Sequence, residues 1–181
     1  MNAVNFLVDT LFDMYLMIVL LRVWLQLARA DFYNPFSQFI VKATQPVVAP
    51  LRRVIPGYSG LDIATILFAV VVALLKVVTV SVMMNYAFDP VIMLISAVVI
   101  VFTSIFKLLF WVLILRAILS WVSHGQNPIE AVMIQLTEPL LSPIRRVLPS
   151  MGGLDLSMVV AILGLQFLEI LFTDLISKLF G

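Results

Sequence analysis

TQPVVAPLRRVIPGYSGLD, at residues 44–62, returns as TEPLLSPIRRVLPSMGGLD at residues 137–155. Aligned at an offset of 93, ten of the nineteen positions are identical: Thr, three prolines, Arg-Arg-Val and Gly-Leu-Asp. Four of the other nine positions exchange one aliphatic residue for another. Each copy lies between long apolar runs, so the chain is read as two tandem units with one plan.

The repeat reaches beyond this stretch. Asn34-Pro35 recurs as Asn127-Pro128 at the same offset, and Arg22 recurs as Arg116 after a slip of one residue. Each unit therefore reads: helix with a late arginine, Asn-Pro, the Pro/Arg-Arg/Pro element, Gly-Leu-Asp, helix. The units are expected at 1–87 and 88–181 within one compact membrane domain.

Composition sets the class. Of the 181 residues, 63% are hydrophobic and only 12% charged, against about 45–50% and 25% in soluble domains. Apolar segments at about 4–28, 63–85, 91–122 and 156–178 are each long enough for a helix to cross a bilayer. They lack two-residue alternation, which argues against a barrel. The expected fold is all-α, with four transmembrane helices in two parallel helical-hairpin repeats. Two spans per unit give both copies the same orientation, unlike inverted transporter repeats.

Charge placement adds topology. The connections after the first and third spans carry Arg29, Lys42, Arg52, Arg53, Arg145 and Arg146, while the other side has Lys178 and Asp89. The positive-inside rule puts the Arg-Arg motifs in the cytoplasm and both termini outside. The N-terminus lacks a basic leader and carries Asp9 and Asp13, so the first span is expected to be retained. A net charge of +1 points to no nucleic-acid partner, and the absence of cysteine excludes disulfides and thiolate metal sites.

Asn-Pro opens a helix, because Asn caps it and proline's missing N–H is harmless in the first turn. Phe36, Phe39, Ile40 and Ala43, like Ile129, Val132, Met133 and Leu136, follow at helical spacing. These predict short helices lying along the membrane, ended by Pro46 and Pro139. Separate six-residue pieces then carry the arginines between Pro50 and Pro56, and between Pro143 and Pro149. Leu51, Val54 and Ile55 are expected at the acyl boundary, with Arg52 and Arg53 reaching lipid phosphates. Gly60-Leu-Asp62 and Gly153-Leu-Asp155 turn the chain, and the aspartates cap the next spans.

Six charges fall inside spans: Asp13, Arg22, Lys76, Lys107, Arg116 and Glu169. Such charges are rare in lipid and are functional candidates. Asp13, Lys76, Lys107 and Glu169 lie about 13–15 residues from the cytoplasmic end of their spans, roughly 20 Å deep. Asp13–Lys76 with Lys107–Glu169, or Asp13–Lys107 with Lys76–Glu169, are equally allowed. Arg22 and Arg116 are expected to snorkel to the interface or to meet Asp62 and Asp155. A structural ion-pair layer, an ion pathway and a surface for a partner's helix all fit these residues.

No catalytic or metal motif emerges. His124 has no second ligand or base at motif spacing. Ser81, Ser104 and Ser120 suit interhelical bonding, and Trp24, Trp111, Trp121, Tyr15 and Tyr86 suit interfaces or packing. The chain is expected to be no enzyme and to need no cofactor.

The doubled pattern NP…T[QE]P..[AS]P[IL]RRV[IL]P….GLD resembles the YggT family of bacterial integral membrane proteins, related to the YlmG proteins of cyanobacteria and plastids. The resemblance covers essentially the whole chain. It matches at Pro46, Pro50, Arg52, Arg53, Pro56, Gly60 and Asp62 and at their second-copy partners. It implies links to osmotic tolerance and ion homeostasis, to division or nucleoid organisation, and to assembly of membrane complexes such as cytochromes; it carries over no catalytic residues. The expected role is a scaffold or assembly factor meeting anionic headgroups and a membrane-protein partner, with homo-oligomers expected from the limited buried surface. The alternative is an ion-translocating or osmotically responsive protein using the mid-membrane charges.

Overall fold

Four apolar stretches and two amphipathic ones become six helices in the computed structural model, which describes residues 3–55, 57, 61–122, 127–147 and 156–180. They are α1 (Ala3–Leu27), α2 (Pro35–Val54), α3 (Ile63–Met84), α4 (Pro90–Val122), α5 (Pro128–Val147) and α6 (Leu156–Phe180). No strand occurs among the described residues. α1, α3, α4 and α6 are long and apolar enough to cross a membrane.

The connections are short and chemically specified. α1 ends with Arg29 in the left-handed region (φ 50°), and Ala30 N–H bonds back to Leu25 O. Asn85 does the same at the end of α3 (φ 54°), with Tyr86 N–H reaching Ser81 O. Asn is one of the few side-chain-bearing residues that tolerates this backbone, whereas Arg29 takes it at some cost. Asp89 Oδ1 accepts from Val91 N–H and Ile92 N–H, capping α4 ahead of Pro90.

α1 packs on α3 and α4, α3 on α4, and α4 on α6. Leu16, Val19, Leu25, Ala69, Ala73 and Ala97 have no exposed surface. Alanines at these crossings let backbones approach closely, the packing that holds helices together where lipid is as apolar as leucine. α6 has contacts with α4 and α5, and its Leu163, Phe167, Leu171 and Leu175 are exposed. Phe172 joins it to α4, with ring centroids 5.7 Å from Phe102 and 5.8 Å from Phe106.

α2 and α5 lie against the ends of this bundle and touch each other. Asn34 Nδ2 donates to Pro128 O at 2.8 Å, and Asp31 N–H donates to Gln135 Oε1 at 2.9 Å. Their starts, and so the ends of α1 and α4 that lead into them, are together at one end of the molecule.

One expectation is overturned. Pro46 and Pro139 do not end their helices: α2 continues through Pro46 and Pro50 to Val54, and α5 through Pro139 and Pro143 to Val147. The arginine pairs therefore form the last helical turn, where cations suit the macrodipole. All four prolines are exposed, so their unmade hydrogen bonds fall on the outward face. Arg22 and Tyr15 bond the carbonyls of Val41 and Ala43, on either side of the Lys42 carbonyl that Pro46 leaves without an N–H partner.

Candidate functional site

The arginine-bearing helices are set in place from their first residue. Asn34 has extended backbone, and its Oδ1 accepts from Phe36 N–H at 2.9 Å, with Pro35 opening the helix. Asn127 repeats the bond to Ile129 N–H at 2.9 Å. One face of each then packs inward: Ile40, Thr44 and Val48 in α2, and Val132, Met133, Leu136 and Thr137 in α5 are buried. Phe39 and Val47 are turned outward.

Arg22 fastens α2 to α1. It is 3% exposed, and its Nη1 donates to Val41 O at 3.2 Å and to Thr44 Oγ1 at 2.6 Å. Its Nη2 donates to Gln45 Oε1 at 2.7 Å. Tyr15 hydroxyl reaches Ala43 O at 3.5 Å, the outer limit for such a bond. The donors thus meet the carbonyls of the turn ahead of Pro46. Arg22 neither snorkels outward nor bonds Asp62, because these acceptors hold its guanidinium with little of the residue exposed.

Arg116 does the same for α5, with one change. Its Nη1 donates to Thr137 Oγ1, and its Nη2 meets Glu138 Oε2 at 3.2 Å. Glu138 also accepts from Arg145 Nη1, at 3.0 Å to Oε1 and 3.2 Å to Oε2. One carboxylate therefore bridges two guanidinium groups. The corresponding position in α2 is Gln45, which is neutral.

Asp62 supplies the countercharge in the first copy. Its carboxylate is 4% exposed, caps α3 by accepting from Thr65 N–H and hydroxyl, and accepts from Arg52 Nε at 3.1 Å and from Nη2. Burial pushes this carboxyl up, but the bonds from Arg52 and Thr65 outweigh it and hold it below the usual carboxylate value. Arg52 Nη2 also reaches Gln26 Oε1 at 3.2 Å. The other arginine of each pair, Arg53 and Arg146, is exposed and forms no ion pair among the described residues.

Deeper in the bundle, Lys76 Nζ lies 2.5 Å from Asp13 Oδ1 and 3.0 Å from Asp9 Oδ1. The chain thus uses the pairing within the first copy. Phe172 packing between Phe102 and Phe106 sets Glu169 and Lys107 at one level on α6 and α4. No ion pair joins them among the described residues, and Lys107 is exposed. Pro56, Gly60, His124, Pro149, Gly153 and Asp155 lie outside the described residues. No group of three metal-ligating side chains occurs among those described. A groove of about 250 Å³ beside Trp24 and Leu108 is apolar throughout.

The family model described as CCB3/YggT matches two segments of the chain, residues 1–83 and 95–176. The chain belongs to the CCB3/YggT family. It is 54% identical over 188 residues to an uncharacterized protein in the proC 3′ region of Vibrio alginolyticus, covering 99% of this chain and 98% of that one. It is 48% identical over 163 residues to the uncharacterized protein YggT of Escherichia coli K12, covering 90% and 85%. It is 37% identical over 172 residues to an uncharacterized protein of Haemophilus influenzae, covering 95% and 92%. No solved structure matches the chain.

Each segment matched by the CCB3/YggT model contains one complete arginine-bearing helix, α2 or α5, and the arginine that anchors it. Three anchoring groups escaped sequence reasoning. Thr44 and Thr137 were visible as the first residue of the repeated motif, but a threonine there suggests a turn as readily as an acceptor. The Gln45-to-Glu138 exchange resembled drift. Asp9 lies one helical turn from Asp13 and was not counted among the intramembrane charges.

Proposed function

We propose that this CCB3/YggT protein is a non-enzymatic inner-membrane scaffold or assembly factor. Its two parallel hairpins would hold α2 and α5 on the cytoplasmic surface as rigid shelves for anionic headgroups and a membrane-protein partner. The observation that carries this reading is the double anchoring of helices whose outer arginines remain unspent. Arg22 and Arg116 tie each helix to its hairpin, Asn34 and Asp31 tie one helix to the other, and Arg53 and Arg146 stay exposed. Ordering such a surface in advance reduces the entropy lost when a partner binds.

The test is site-specific photocrosslinking in cells from the exposed neighbouring positions 54 and 147. A discrete protein adduct that disappears in Arg53→Gln/Arg146→Gln, with folding retained, is expected. Only lipid adducts from both positions would overturn the partner role. The transport reading makes the opposite prediction: potassium or proton flux in liposomes, abolished by Lys76→Ala/Glu169→Ala.

A further inference from the structure

Between α1 and α2 lies a cleft of about 390 Å³ lined by Arg22, Gln26, Phe32, Val41, Gln45 and Arg52. Both Arg22 and Arg52 line this cleft, and the carboxylate of Asp62 is paired with Arg52. Several of their hydrogens are unspent among the described residues. Arg22 uses Nη1 twice and Nη2 once, leaving Nε–H and one Nη2 hydrogen. Arg52 uses Nε and Nη2, leaving both hydrogens of Nη1.

The second copy shows what such a pair of arginines takes. There Glu138 lies between Arg116 and Arg145 and accepts from both. In the first copy the corresponding residue, Gln45, bonds Arg22 alone and brings no charge. Two arginines around an open cleft, with one carboxylate held to the side as a helix cap, leave the place of the bridging anion to a group from outside. Planar guanidinium forks suit the tetrahedral oxygens of a phosphate, and Gln45 adds an amide at the same wall.

We propose that this cleft binds a phosphate group, bridging Arg22 and Arg52 as Glu138 bridges Arg116 and Arg145. A lipid phosphodiester and free phosphate share this chemistry. Exposed Phe32 on the wall would take the apolar part of a lipid. The site is separate from the outward arginines of the shelves and stands whether or not a protein docks there.

The experiment uses the full chain in a phosphate-free maltoside detergent, titrated with inorganic phosphate or with phosphatidylglycerol in mixed micelles. Thermal unfolding is followed for the wild type and Gln45→Glu, which imports the second copy's carboxylate. The wild type should show a saturable rise in Tm. Saturation by inorganic phosphate marks a soluble anion, and saturation by phosphatidylglycerol alone marks a lipid. Gln45→Glu should be at least as stable as the wild type without added anion and should bind about tenfold more weakly or worse, from a lost charge contact. Lys107→Met, on α4 and away from the cleft lining, should leave the titration unmoved. No saturable rise with either probe would overturn the proposal, as would equal affinity in Gln45→Glu or a Gln45→Glu protein less stable than wild type.

Discussion

Thr44→Val tests whether the arginine lock or simple packing holds α2 in place. Valine matches threonine in shape and deletes only the hydroxyl. Thr44 has no exposed surface, and Arg22 Nη1 donates to it at 2.6 Å. A hydrogen bond to a charged group is worth about 1.5–3 kcal/mol, while interhelical bonds in membranes average about 0.6 and reach about 1.7. Arg22 would keep Val41 O and Gln45 Oε1, so the expected loss is about 2 kcal/mol, toward the lower part of the charged range. For a chain of this size that lowers Tm by about 4–8 °C. Thr44→Ser keeps the hydroxyl and loses one buried methyl, about 0.8 kcal/mol. The order threonine, serine, valine in detergent unfolding is therefore expected. Thr137→Val should cost less than Thr44→Val, because Arg116 retains the carboxylate of Glu138. A valine protein as stable as the serine one would refute the reasoning, since shape alone would then explain the buried threonine.

Two further predictions follow from the charges. Lys76→Met leaves Asp9 and Asp13 facing each other, and should cost more than the about 1 kcal/mol of an exposed pair and less than the about 3–5 of a fully buried one. Their side chains are 35% and 40% exposed. Lys107→Met, with no ion partner among the described residues, should cost less, and comparing the two Tm values decides it. Asp62 has a lowered carboxyl value in the folded state, so its contribution is present in full above the ordinary carboxylate range and is lost as pH falls through the lowered value. Asp62→Asn should be less stable than wild type near neutrality and lose less between about pH 7 and pH 3. Parallel acid profiles would refute that.

Most of the fold was legible because lipid leaves few solutions: an apolar run of span length must be a helix. The spans expected at about 4–28, 63–85, 91–122 and 156–178 became Ala3–Leu27, Ile63–Met84, Pro90–Val122 and Leu156–Phe180. Asn34 and Asp62 were legible for a local reason, since a cap bonds N–H groups two or three residues away. The course of α2 was not, because proline's local preference was overruled by tertiary contacts. The carbonyls ahead of Pro46 are reached from Tyr15 and Arg22, more than 15 residues away in sequence and on another helix. The destination of Arg22 was hidden similarly. Charge pointed to Asp62, but the chain gave Asp62 to Arg52 and left Arg22 to neutral acceptors.

The two copies keep the lock and differ in the balance of charge, and the difference has a direction. The lock has few substitutes, because it needs a donor long enough to cross from one helix to another and an acceptor two residues before a proline; both copies retain arginine and threonine. Countercharge is freer, since a carboxylate can come from any nearby element. In the second copy the sequence sets Glu138 and Asp155 against Arg116 and Arg145, and the mid-bundle charges Lys107 and Glu169 are equal in number and opposite in sign. In the first copy Asp62 pairs with Arg52 while Arg22 has only neutral acceptors, leaving a positive excess, and Asp9 and Asp13 share Lys76, leaving a negative one. Both excesses belong to the same hairpin, at its opposite levels. A charge left uncompensated near lipid is costly, so its retention in one copy beside a self-neutral twin is better explained by an external counterion than by the needs of folding. By that argument the charge excess of the first hairpin is the place for the external anion proposed at its cleft, while the outward arginines Arg53 and Arg146 remain common to both hairpins.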